Sequence, residues 1–176
     1  MLLLTLTVLS GCSYSTLDEA IQKKWDDRIE VLYVDEEHQS VIFLDPSKDN
    51  PNHSVYVYST YKKSGNAYRY STDPEHGTSF SVSSDLIPFL FKWNGGDKKT
   101  DNVIWGAIRS DITVKEIAVT CTPRNDESKE IKFKIPVHNQ VFIYYPELDF
   151  QNSPYSWRVK AEALDENGKV IADSGY

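Results

Sequence analysis

The feature that most restricts the fold of this chain is a succession of short apolar runs, many of them alternating polar with apolar residues, cut apart by polar turn segments. "IEVLYVD" from Ile29 and "SVIFLD" from Ser40 flank Glu36-Glu37-His38-Gln39, and "SVYVYSTY" from Ser54 and "AYRYS" from Ala67 flank Lys62-Lys63-Ser64-Gly65-Asn66. Each pair reads as a hairpin, the second with Gly65 at the positive-φ position of its loop. A further strand is expected at "TSFSVSS". "LIPFLFKW" from Leu86 is apolar on both faces, but Pro88 lacks the amide a central ladder needs. Beyond it come "VIWGAIRS", "VKEIAVTC", "EIKFKIPV", "QVFIYYP", "SWRVKAEAL", a tight turn at Asp165-Glu166-Asn167-Gly168, and "KVIADSG". Strands this short and this closely spaced predict a mainly β (α+β) fold of antiparallel sheets, with a sandwich-like C-terminal half. No repeat of fixed period is visible.

One helix precedes the strands. In "TLDEAIQKKWDD", Thr16 and Glu19 stand at capping-box spacing, and Leu17, Ala20, Ile21 and Trp25 follow at helical spacing. Asp18 and Glu19 lie at the positive end of the helix dipole and Lys23 and Lys24 toward the negative end. The polar, glycine-bearing stretch from Asn94 to Asp101 is the expected internal boundary. It separates a helix-plus-meander half, 17–95, from a sandwich-like half, 101–176, with a single compact unit as the alternative.

The first residues point to an address. From Leu2 to Leu9 the chain is uncharged and rich in leucine, valine and threonine, and Ser10, Gly11 and Cys12 follow at once. This is a short apolar core followed by small residues, the arrangement of a secretory signal, and it is too short for a spanning helix of about 20 residues. The order Leu9-Ser10-Gly11-Cys12 resembles the lipobox of bacterial lipoproteins. That resemblance implies a signal peptide over 1–11, diacylglycerol on the Cys12 thiol, cleavage before Cys12, and a lipidated tether over 12–16 on the outer face of the cytoplasmic membrane. The first basic residue is Lys23, so the positively charged start of such signals is missing. A signal whose true start lies further upstream is the expected reason. Two acyl chains supply the pair of signals that stable attachment requires. "LDEAIQKKW", "IEVLYVDEE", "VIWGAIRSDITVKEIAVT" and "ALDENGKVIADSGY" together resemble a group of small exported lipoproteins of Bacillus-type Gram-positive bacteria. This second resemblance implies address and architecture, and it transfers no catalytic residue.

Composition narrows the partners. All charged residues follow Cys12, so the formal net charge of -7 belongs to the exported part. Binding to nucleic acid depends on lysine and arginine displacing counterions, which excludes it as an expected partner. If Cys12 carries lipid, Cys121 has no disulfide partner among the 2 cysteines. Strand alternation sets Cys121 on one face with Ile117 and Val119, where a thiol behaves as a small buried hydrophobe.

The chemistry-bearing residues do not assemble into a motif. His38, His53, His76 and His138 lie at no metal-ligand spacing, and three of them fall in turn-like contexts. The acidic turns at Asn94–Asp101 and Asp165–Gly168 fall short of a calcium-loop pattern. No nucleophile elbow, no phosphate-cradling glycine loop and no paired-histidine helix occurs. No cofactor, metal or catalytic residue is therefore expected. The remaining candidates are Tyr56, Tyr58, Tyr68 and Tyr70, which alternate along the two arms of one hairpin. If the arms pair around Lys62 to Asn66, all four rings share a face, either as a platform for wall sugars or a protein, or as packing beneath the helix. The expected function is a non-catalytic binding or assembly module, with a cell-wall carbohydrate binder and a cryptic hydrolase as alternatives.

Overall fold

The computed structural model describes residues 13–25, 28–46, 54–70, 78–81, 89–94, 102–108, 112–124, 126, 128–146 and 157–175. Cys12 and the leader lie outside them, as do His53 and His76. The protein is mainly β, with antiparallel sheets and one short helix among the described residues. It divides into two compact units, Met1–Asp45 with Val57–Thr78, and Pro46–Tyr56 with Ser79–Tyr176.

The first unit opens with helix α1, Leu17–Gln22. The Thr16 hydroxyl accepts from the Glu19 amide at 3.2 Å, as the capping-box spacing predicts. The Glu19 carboxylate reaches one residue further back than expected, taking the Ser15 amide at 3.2 Å and the Ser15 hydroxyl at 2.7 Å. Leu17, Ala20 and Ile21 are buried, so the helical spacing identified the inward face correctly. The helix is shorter than its pattern. Lys24 and Trp25 donate to the Ile21 carbonyl in a closing turn, which puts Trp25 beyond the helix and its Lys23 cap.

Strands β1 Glu30–Asp35, β2 Ser40–Pro46, β3 Ser54–Ser64 and β4 Ala67–Tyr70 follow in sheet order, and β5 Thr78–Ser81 also pairs with β3; residues 46 of β2, 54–56 of β3 and 79–81 of β5 belong to the second unit. The β1–β2 turn closes where expected, because Asp35 Oδ1 accepts from the His38 amide at 2.9 Å and Gln39 takes a φ of 48°. In β2 Ser40, Val41, Ile42 and Phe43 are all buried, the signature of a strand covered on both faces.

In the second unit β6 Phe89–Asn94, β7 Val103–Ile108 and β10 Val141–Tyr144 form a sheet in the order β10-β7-β6. Strands β8 Glu116–Pro123, β9 Ile131–Pro136, β11 Trp157–Leu164 and β12 Val170–Gly175 form the other, ordered β12-β11-β8-β9. Phe89, Phe91, Ile104, Ile108 and Phe142 of the first sheet join Ile117, Val119, Cys121, Ile135, Val159, Ala161 and Ala163 of the second in one buried apolar cluster. Register sets large against small within it: Ile117 opposes Ala163, Val119 opposes Ala161 and Cys121 opposes Val159. Burying an Ile, Val or Phe side chain contributes about 1.5–3 kcal/mol, so the large apolar residues of this cluster dominate the unit.

The expected boundary at Asn94–Asp101 does not separate the units. Its flanking strands β6 and β7 are hydrogen-bonded neighbours, from Asn94↔Val103 to Phe89↔Ile108. A polar connection between paired strands has the same composition as a linker between domains. The turn at Asp165–Gly168 forms as expected: Asp165 Oδ1 accepts from the Asn167 and Lys169 amides at 2.9 and 2.8 Å, and Gly168 holds a φ of 76°.

Candidate functional site

The four tyrosines singled out by sequence do not form one exposed row. β3 continues three residues beyond its expected end, to Ser64, and the connection is the two-residue turn Gly65-Asn66, with Gly65 at φ 59°. Tyr61 therefore stands opposite Tyr70, and Lys63 opposite Tyr68. An odd shift in register exchanges faces. By strand alternation Tyr68 and Tyr70 share their face with Tyr61 and Lys63, while Tyr58 and Tyr56 point to the other.

Burial sharpens the correction. Tyr56, Tyr58, Tyr61 and Tyr70 are buried, and Tyr68 is half-buried. Tyr56 falls in the second compact unit and the other three candidates in the first. The Tyr70 hydroxyl accepts from Trp25 Nε1 at 3.0 Å, and its ring meets Phe43 edge-on with centroids 6.1 Å apart. Trp25, 39% exposed, in turn sets its ring against Phe43 at 5.2 Å. Burial pushes the Tyr70 hydroxyl above its ordinary pKa, partly offset by hydrogen bonds to Ser59 and Trp25. Tyr70 thus packs against the turn that follows α1.

Tyr61 was missed at the sequence level, and it is the hub of this face. Its ring lies 6.0 Å from that of Tyr68, its amide donates to the Gln39 carbonyl at 2.8 Å, and its hydroxyl donates to the Asp35 carbonyl at 3.4 Å. Its parity with Tyr68 and Tyr70 could have been found only by knowing the loop length. Beside it the Lys63 ammonium sits 5.3 Å over the Tyr68 ring and 3.2 Å from Glu36, and hydrogen bonding to Tyr68 and then Glu36 raises the Lys63 pKa.

The outer edge of β4 is occupied by the segment just ahead of α1. Tyr14 and Tyr68 exchange two backbone hydrogen bonds of 2.9 Å in an antiparallel bridge, and Thr16 caps α1 two residues later. The bridge satisfies edge amide and carbonyl groups that would otherwise invite pairing with another chain. A shallow open groove of about 450 Å³ lies here, lined by Tyr14, Glu19, Gln22 and Lys23. The Ser15 hydroxyl, donating to Glu19, holds that carboxyl below its usual range. The groove offers an aromatic ring, a carboxylate, an amide and an ammonium, a set suited to polar contact.

The other candidates stand apart. The His38 Nδ1 lies 3.1 Å from Asp35 Oδ2 in the β1–β2 turn, and His138 forms an isolated bridge with Val141. Cys121 is a buried free thiol whose pKa burial pushes up to about 12, so it stays protonated at neutral pH. Among the described residues no three His, Cys, Asp or Glu side chains converge as a metal site, and no helix is long and apolar enough to cross a membrane. Compared with protein-family models, curated proteins and solved structures, the chain gives no match.

Proposed function

We propose that this chain is a lipoprotein held on the outer face of the bacterial cytoplasmic membrane through Cys12, and that it acts as a non-catalytic binding or assembly module. Its exported part is an N-terminal amphipathic helix leading into antiparallel strands, the second unit packed as a sandwich of its two sheets. The observation that carries the reading is the Tyr14–Tyr68 bridge: two residues after Cys12 the chain is already pinned to a sheet edge. An acylated cysteine followed so closely by folded structure presents its domain at the bilayer surface, where a partner protein in the same membrane is within reach. The wall-carbohydrate alternative loses its four-ring platform, because three of those rings are buried.

Metabolic labelling with an alkyne fatty acid is expected to tag the protein, and Cys12→Ala is expected to abolish the tag and release the protein from the membrane fraction. In-cell crosslinking should then recover a discrete protein adduct, whereas retention on isolated wall polymer alone would favour the carbohydrate reading. A Cys12→Ala variant that remains labelled and membrane-bound contradicts the anchor.

A further inference from the structure

We propose that Lys62 and Arg69 form a contact for the phosphate groups of anionic phospholipid beside the lipidated cysteine, so that the anchored domain faces the bilayer with one side of the β3–β4 hairpin. The inference rests on the anchored reading above. Lys62 and Arg69 stand directly opposite each other across the ladder, and both are exposed. Like charges in that position repel and weaken the pair of strands. Among the described residues no carboxylate is paired with either one. In the acidic β1–β2 turn Glu36 is held by Lys63 at 3.2 Å, on the opposite strand face, and Asp35 by His38 at 3.1 Å. An anion outside the fold would relieve what the described residues leave uncompensated.

The position of the pair selects the anion. The Tyr14–Tyr68 bridge is antiparallel, which sets Ser13 level with Arg69, and Cys12 is the next residue. Consecutive Cα atoms lie about 3.8 Å apart, and a headgroup layer is about 5–8 Å deep. A lipidated Cys12 therefore brings the Arg69 guanidinium, on its long stem, to the depth of the lipid phosphates. The formal net charge of -7 makes the remainder of the domain poorly suited to an anionic surface. A local cationic pair next to the anchor then decides which side turns inward.

The test uses the acylated full chain reconstituted into vesicles of phosphatidylcholine, with or without phosphatidylglycerol. Modification of Lys62 by an amine-reactive reagent is followed by peptide mass spectrometry, and the same digest reports the mass on Cys12. On phosphatidylglycerol-containing vesicles Lys62 should react about five-fold more slowly, while Lys63, on the opposite face of the same hairpin, is unchanged. The protection should vanish at about 1 M salt, where the Debye length is about 3 Å, and in Arg69→Glu. Equal Lys62 rates on both vesicles with an acylated Cys12 overturn the phosphate contact and leave the anchor standing, as does equal slowing of Lys62 and Lys63. An unacylated Cys12 removes the anchor and this inference with it.

Discussion

Strands β8 and β3 make an instructive contrast. In β8 burial alternates residue by residue, with Ile117, Val119, Cys121 and Pro123 inside and their neighbours partly exposed. In β3 Tyr56, Val57, Tyr58 and Ser59 are buried in succession. A strand with one covered face writes its orientation into its sequence. A strand covered on both faces leaves register to be settled by the length of the turn beyond it.

The contrast breaks most directly under alanine substitution followed by urea denaturation. In β8, Ile117→Ala is expected to destabilise by about 2–5 kcal/mol and Ala118→Ser by less than about 0.5 kcal/mol. In β3 the adjacent positions should both be sensitive, Tyr58→Ala by about 3–5 kcal/mol and Val57→Ala by more than about 1 kcal/mol. Alternating sensitivity along β3 would show that only one of its faces is covered.

Alkaline titration sharpens the account of β8. Burial raises the Cys121 thiol from its ordinary value of 9.0 to about 12. In the unfolded chain the thiol ionises first, so folding stability should fall as pH climbs from about 9 toward 12, by at most about 1.4 kcal/mol per unit. The difference between the native chain and Cys121→Ala isolates this contribution from the tyrosines and lysines that titrate nearby. A difference that stays constant over that range contradicts a buried thiol.

Much of this was readable in advance, and the exceptions share a cause. The cap at Thr16, the inward helix face at Leu17, Ala20 and Ile21, the turns at Asp35–Gln39 and Asp165–Gly168, and the alternation of Ile117 to Cys121 each depend on contacts within a few residues. The tyrosine row and the internal boundary depend on pairing at a distance. Lys62, Lys63 and Ser64 look like loop residues, yet a tight two-residue turn lets them stay in the ladder, and that one difference sends Tyr56 and Tyr58 away from Tyr68 and Tyr70. The stretch after Asn94 has linker composition, yet it joins paired strands. Tyr14 carries no signal at all, because an isolated bridge has no periodicity.

Two smaller effects examine the hairpin itself. Gly65→Ala places a Cβ at φ 59°, where nothing lies within 4 Å, so conformational strain alone should destabilise by about 1 kcal/mol in the same urea assay. Lys62→Glu exchanges a like-charge pair with Arg69 for an opposite-charge one and should stabilise by about 0.2–1 kcal/mol at low salt, an effect that high salt removes. No salt-dependent gain would place Lys62 in a loop, and the shared tyrosine face would return.

The proposal as a whole is most directly tested by intact-mass and N-terminal peptide analysis of the protein extracted from its own membrane. The account predicts a chain beginning at Cys12 and carrying diacylglycerol on its sulfur. A chain retaining Met1 to Gly11 ahead of an unmodified Cys12 thiol would contradict it.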